Sequence, residues 1–469
     1  MWLLGAFATL VFPVHHVRSA AASDGAPSSP SPPPYKLVRY EEDYSYLKDP
    51  ARRTDPFDPI KYIPFEGTHA YLSLGGEIRE RYEYFRNPGW GLAPQDHNGY
   101  VLQRTMLHGD LRFAVRWRFF GQIKSALENG REGGPRPADE DQLDLHQAFL
   151  EVRLGHEQSQ SPGLRLGRQE ISLGSSRLVS VREGPNVRRS FDGARLMLHP
   201  RSWRLDAFVT RPAETDRGVL DDGPDSGEAL WGLYAVGSVS SVSRKKIDLY
   251  YLGIDRDVAA FDQGAAPERR HSLGSRVWGA SGPWDWNFET LYQWGSFGRG
   301  SIRAWTAASD TGYTWSAPRL RPRAGFKANV ASGDRDPDDA DLQTFNALYP
   351  RGSYFSEAAL IGPANFFDLH PSVELRVTER LSVTAHWDIF WRQSREDGVY
   401  GNATNLILTG GGSRERFIGQ HAALESAWSL GRHLTLEVYY LRFFAGAFLR
   451  ESGAVEDVDY VSAWVTCLF

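Results

Sequence analysis

The chain has 469 residues, 41% hydrophobic and 24% charged, with a formal net charge of −5 and one cysteine, Cys467. This near balance of charge argues against a nucleic-acid binder with a basic face, and a lone cysteine excludes an intramolecular disulfide. Beyond the N-terminus no apolar run is long enough for a membrane helix, which excludes helical spans. A closed barrel, polar inside and apolar outside, accommodates both the length and the hydrophilic average. The 15 Trp and 20 Tyr suit the aromatic girdles of such a barrel, although a secreted sugar-binding protein would share that richness.

In chain order, Trp2 to Val14 form an apolar core. Small residues follow at Ser19, Ala20, Ala21, Ala22 and Ser23, as a signal-peptidase site requires. Residues 1–22 are therefore predicted to be a signal peptide, and the missing positive n-region implies a truncated or misplaced start. Ala26 to Pro34 are dense in Ser and Pro and read as a spacer that buries nothing. Residues 23–66 are thus a spacer and lead-in, with the fold beginning near Lys61 to His69.

From Ala70 onward the pattern is strand, turn, strand. Leu72, Leu74, Ile78, Tyr82 and Tyr84 share one face of the first strand, and Ser73, Glu77, Arg79, Arg81 and Glu83 the other. The same period of two returns in 285–294, 320–330 and 381–392. Counting such segments gives roughly 16–18 strands, in the range of large bacterial barrels. Short links near Ala114–Arg116 and Thr378–Arg380 contrast with long polar insertions at 129–142, 211–228, 332–364 and 394–414. That asymmetry predicts short periplasmic turns and long extracellular loops, with 211–228 or 332–364 folding inward to gate the lumen. At the end of the chain, Val461, Ala463, Val465, Cys467 and Phe469 alternate with Ser462, Trp464, Thr466 and Leu468. This resembles the terminal signal read by the barrel-assembly machinery. The fold expected is an all-β transmembrane antiparallel barrel over 67–469, in the bacterial outer membrane, in contact with lipid and lipopolysaccharide.

The predicted inner face carries Arg79, Arg81, Arg104, Arg112, Arg321, Arg323, Lys327, Arg376 and Arg392, interleaved with Glu77, Asp110, Glu289 and Asp388. Water-filled barrels select solutes by lumen charge, and a guanidinium fork suits planar carboxylates. Ordinary lumen ion pairs are the competing reading. Asp334, Asp336 and Asp338 offer oxygens to Ca²⁺ in a long loop, where a solvated loop is the alternative; no other cofactor is implied. His386 with Ser382 or Ser372 is the one candidate catalytic pairing, and it has no third orienting group. No zinc site or phosphate loop is present in the pattern, so no enzymatic activity is expected.

The segment 164–196 contains Gly167-Arg168-Gln169-Glu170 and Asn186-Val187-Arg188-Arg189-Ser190-Phe191-Asp192-Gly193. A second stretch holds Ala331-Ser332-Gly333-Asp334, Tyr349-Pro350-Arg351-Gly352, Ile361-Gly362-Pro363-Ala364-Asn365 and Leu369-His370-Pro371. With these motifs the chain resembles the alginate-export family of outer-membrane porins, from near Gly67 to Phe469. The resemblance implies a monomeric barrel of about 18 strands with an arginine-rich constriction. It also implies passive secretion of an anionic polysaccharide such as alginate or a related polyuronate, delivered by a periplasmic polysaccharide-export scaffold. Arg168, Arg188, Arg189 and Asp192 are carried over as pore or pore-loop residues; Arg79, Arg81, Arg104, Arg321, Arg323 and Lys327 come from strand alternation. If Gly167 resets the alternation as a bulge, Arg168 faces the lumen; otherwise it does not. A substrate-specific uptake porin for small anions or oligosaccharides is the alternative function.

Overall fold

The computed structural model describes residues 32–114, 116–155, 161–238, 245–316 and 319–469, so the predicted signal peptide lies outside the described residues. Its main sheet contains the two-residue strand Ile63–Pro64 and eighteen barrel strands. The first six barrel strands are β1 (Tyr71–Arg86), β2 (Tyr100–Phe113), β3 (Trp117–Asn129), β4 (Asp141–Arg153), β5 (Gly163–Gln169) and β6 (Phe191–Leu198). Next come β7 (Trp203–Pro212), β8 (Glu228–Ser238), β9 (Lys246–Phe261), β10 (Gly264–Ser281), β11 (Trp284–Phe297) and β12 (Gly300–Thr314). The last six are β13 (Arg323–Ala331), β14 (Phe366–Arg376), β15 (Leu381–Trp391), β16 (Phe417–Ser429), β17 (Leu434–Ala445) and β18 (Val458–Leu468). Each pairs antiparallel with its neighbours in sequence, and β1 closes on β18 with Ile78 opposite Cys467. Closure leaves no sheet edge to meet lipid, the condition for a β-structure to cross a bilayer.

Alternation sets the two faces. On β1, Glu77, Arg79, Arg81 and Glu83 are buried, whereas Leu74, Ile78 and Tyr82 are exposed. On β18, Tyr460, Ser462 and Trp464 point inward and Val465 outward. The outer wall presents Leu107, Phe119, Ile123, Leu166, Leu273, Phe326 and Leu424, a surface that only lipid makes favourable. Aromatic rings mark two levels on it. Trp284 stacks edge-on against Tyr313 at 4.9 Å near the short-turn end, and Trp294 lies 5.6 Å from His271 near the other. Ten residues along β11 separate Trp284 from Trp294. At ~3.3 Å per residue and a tilt of ~40°, that is a height of ~25 Å, the thickness of the apolar band of such barrels.

Turns alternate as expected, with two exceptions. The β9–β10 and β11–β12 links, at 262–263 and 298–299, are tight yet sit on the long-loop side. The strands there are long, up to the 18 residues of β10, and rise past the band instead.

Packing also begins earlier than Lys61. Val38, Tyr40, Tyr44 and Leu47 are buried, inside the barrel at the short-turn mouth. Tyr40 lies edge-on to the inward rings of Phe120 and Phe149 at 6.1 and 5.3 Å. Arg118 donates to the Tyr40 carbonyl at 2.6 Å and Arg188 to that of Leu37 at 2.8 Å. Arg39 donates to the carbonyls of Gly76 and Phe469, bridging the seam between β1 and β18. The segment ends in helix α1 (Asp58–Lys61), whose Lys61 carbonyl accepts from Ser73.

The Lys61 ammonium is buried without a hydrogen-bond partner, over the Tyr44 ring at 4.8 Å. Burial, reinforced by Arg39 and Arg432 and opposed by Glu42 and Asp55, lowers it to about 7. Its seated value lies below its free value of 10.5. The unseated segment therefore binds more protons between those two values, and seating strengthens as pH rises through that window. Channel open probability is expected to fall from pH 7 to pH 10, and Lys61→Met to remove that dependence.

Candidate lumen constriction

Two loops enter the barrel from the long-loop end. The first, 170–190, joins β5 to β6; the second, 332–365, joins β13 to β14. Both carry apolar side chains that a solvated loop would not bury: Ile171, Leu173, Leu178 and Val179 in one, Phe345, Leu348 and Tyr349 in the other. These pack together on Phe208, Leu230, Tyr234, Leu252 and Leu291 of the wall. Backbone bonds clasp the loops: Ser180 N–H to Tyr349 O at 3.0 Å and Tyr349 N–H to Leu178 O at 2.8 Å. Of the two gating loops expected, 211–228 and 332–364, the second is inward. The 211–228 loop lies on the rim, bridged to Leu143 at Val219, with Val219 and Leu220 exposed. The 170–190 loop was not anticipated.

Glu183 is the electrostatic centre of the first loop. Its carboxylate meets Arg104, Arg188 at 2.5 Å and Arg79 at 3.7 Å. Arg79 also donates to the carbonyls of Glu183 and Pro185. Arg81 joins Glu83 at 2.7 Å, Glu357 at 2.9 Å and the Gly184 carbonyl at 3.1 Å. Arg188 also pairs with Glu170 at 2.7 Å. Burial opposes its charge, but Glu170 and Glu183 outweigh burial and hold it above its ordinary value. Arg79, Arg81, Arg104 and Arg188 thus face the lumen, as expected, but are committed to ion pairs that anchor the loop. Glu183→Ala leaves these buried guanidiniums short of a partner. It is expected to cost about 3 kcal/mol, the low end for breaking a buried pair because Glu77 and Glu170 remain. Urea titration of the refolded barrel measures this.

Three expected pore residues lie elsewhere. Gly167 has φ +122, and a Cβ there would stand 2.2 Å from the Ala148 carbonyl; it permits close strand approach without resetting the alternation. Gly167 and Gln169 are therefore the inward pair, and Arg168 points outward. It bonds Asp192 at 2.8 Å across the β5–β6 register, which places Asp192 on the outer face too. Arg321 lies in the turn before β13 with φ +40, half-exposed and 3.8 Å from Glu379. The turn breaks the alternation that predicted it. Arg323 does face inward, held by Asp285 at 2.5 Å. Arg392 is fully buried and donates to the carbonyls of Arg395, Asp397, Gly410, Ser413 and Glu415, organising the 392–416 loop.

A different set of cations, all but Arg177, lacks carboxylate partners among the described residues. Lys327 points inward from β13, and no ion pair or hydrogen bond forms on it among the described residues. Arg351 donates to the Tyr354 carbonyl at 2.8 Å and pairs with no acid among the described residues; burial, then the charge of Arg177, lowers its pKa. Arg189 lies over the Tyr349 ring at 5.2 Å and is lowered to about 9, by burial first and then by Arg182. Burial lowers Arg182 to about 10. Arg177, between Asn329 at 3.0 Å and Glu289 at 3.4 Å, completes the group. Arg182 and Arg189 remain cationic at neutral pH. Arg177, Arg182 and Arg351 were not among the expected site residues, although Arg351 sits in the Tyr-Pro-Arg-Gly motif. Loop residues have no strand period to read.

Asp334 is buried and its backbone N–H donates to Asp397 at 2.8 Å, while the Asp336 carboxylate accepts from the Asp338 backbone N–H in their exposed loop. His386 meets Tyr439 at 3.3 Å and stacks on His370.

The sequence matches the model of the alginate export family over residues 70–461. The chain belongs to the alginate export family. No curated protein matches it in sequence. Solved Pseudomonas aeruginosa structures share the fold. OpdK with vanillate has a TM-score of 0.58 at 11% identity, covering 86% of this chain and 98% of that one. OccK8 (OprE) has 0.56 at 12%, covering 85% and 98%. OccK2 (OpdF) in complex with glucuronate has 0.54 at 12%, covering 86% and 98%. As an alginate-export porin this protein is an outer-membrane channel in the bacterial outer membrane.

Proposed function

We propose that this family member passively passes an anionic polysaccharide, a polyuronate such as alginate, outward through a lumen lined by Lys327, Arg351, Arg189, Arg182 and Arg177. The observation that carries this is that the first four make no ion pair with a carboxylate among the described residues. Crowded guanidiniums in a partly desolvated lumen gain from any carboxylate brought beside them. Successive weak sites let a chain of uronates enter and leave. Glu357 of the 332–365 loop and Glu425 of β16, both near these cations, limit how tightly it is held. The seated N-terminal segment closes the short-turn mouth. A periplasmic export scaffold delivering polymer there would displace it, and transport needs neither nucleotide nor catalysis.

Uptake of small uronates is the competing reading, favoured by the glucuronate complex of OccK2 (OpdF), which shares the fold. Polymer titration against refolded channels separates the two. Block that strengthens with uronate chain length supports export of polymer; equal block by monomer and polymer supports uptake.

A further inference from the structure

Asp368 and His370 project two residues apart from β14 onto the inner face, and Asp388 projects from β15 beside them. All three are buried, at 1%, 5% and 0% exposure. Their ligand atoms lie within 4.8 Å of one another, and His370 Nδ1 is 2.8 Å from Asp388 Oδ2. Asn329 of β13 donates to both oxygens of Asp368, at 2.8 and 3.0 Å. This holds that carboxylate while leaving lone pairs unused. Asp388 Oδ1 is buried with no hydrogen-bond partner. Two further imidazoles bound the cluster: His386 stacks 4.8 Å from His370, and His421 stands edge-on 6.5 Å from it. His386 Nδ1 and His421 Nε2 are likewise buried and unpartnered. Lys327 neighbours His370 in the β13–β14 register, yet forms no ion pair with either aspartate.

We propose that Asp368, His370 and Asp388 bind one first-row divalent cation of the Zn²⁺ kind. Two carboxylates and one imidazole form a borderline donor set suited to such ions. Bond lengths of ~2.0–2.2 Å put tetrahedral donors about 3.4 Å apart, so donors now within 4.8 Å of one another need converge by no more than about 1.4 Å. Two buried carboxylates this close are satisfied by a shared proton or by a cation that displaces it, and the donors stand on paired strands, so the site is built before the ion arrives. The bound ion cross-links β14 to β15 and adds positive charge to the wall beside Lys327. Glu374, Glu425 and Asp310 of the wall and Arg177 and Arg351 of the two inward loops are charged groups near it.

The test uses the full mature barrel, refolded in detergent, stripped with EDTA and dialysed against Zn²⁺. Metal content and competition with a chelating indicator give occupancy and affinity, and Co²⁺ substitution gives a visible ligand-field spectrum. One Zn²⁺ per chain is expected. His370→Gln and Asp388→Asn should each weaken binding roughly tenfold or more and change the Co²⁺ spectrum. Lys327→Met should tighten binding, because it removes a nearby like charge. Asp144→Asn, in the separate carboxylate cluster of Asp141, Asp144 and Asp222, should change nothing. Heat-modifiable gel mobility identifies any variant that fails to fold, and the Lys327→Met shift is then read alone. A folded wild-type barrel that binds no Zn²⁺ overturns the proposal. So does occupancy unchanged in both His370→Gln and Asp388→Asn, or Lys327→Met that binds no tighter.

Discussion

Deleting residues 32–61 is expected to raise single-channel conductance severalfold and to abolish its pH dependence above pH 7. The segment fills the short-turn mouth with Val38, Tyr40, Tyr44 and Leu47, all buried. Each large apolar side chain contributes about 1.5–3 kcal/mol at most relative to exposure. Polar contacts from Arg39, Arg118 and Arg188 add orientation. A segment held this way is seated, so the full-length channel should conduct poorly in its resting state. The barrel should survive the deletion, because the β1–β18 seam is closed by its own ladder. Unchanged conductance in a correctly folded deletion would show that the segment does not obstruct the path.

Lys327→Glu combined with Arg351→Glu should convert an anion-preferring lumen to a cation-preferring one. Neither side chain has an acid to which it is committed, so each acts on passing ions directly. At an effective dielectric of about 20, one charge about 8 Å from an ion contributes about 2 kcal/mol, a factor of about 30 in ion preference. Reversing Arg79 or Arg104 is a poorer test, since Glu183 and Glu77 hold them and the loop would move first. The reversal potential in a salt gradient, recorded on channels with normal heat-modifiable mobility, gives the outcome.

The contrast between these two sets shows what the sequence could convey. Where a residue sits on a strand, period-two alternation tells its face. Arg79, Arg81, Arg104, Arg323 and Lys327 were legible in this way. It says nothing of whether a partner waits opposite: Glu183 lies 104 residues beyond Arg79 and meets it only through an inward loop. Arg321 failed because the strand begins at Arg323, three residues later than the hydrophobic pattern suggests. Arg168 failed because a glycine can signal a bulge or a close approach, and here the Ala148 carbonyl demands the second. Arg182, Arg189 and Arg351 occupy loops without a period, so their facing came only from the clasp between 170–190 and 332–365. The N-terminal segment was invisible for a similar reason. Its buried tyrosines follow short 3-10 turns rather than a strand or a helical stripe.

The central claim is that an anionic polymer passes through a lumen of unpaired cations. The most direct measurement is single-channel recording of the refolded mature protein lacking residues 32–61, in a potassium chloride gradient, before and after addition of polyuronate. The account predicts a reversal potential on the anion side and a block that deepens with polymer length. It also predicts that the block is lost in the Lys327→Glu, Arg351→Glu double variant. A cation-side or zero reversal potential, with polyuronate leaving the current unchanged, would contradict it.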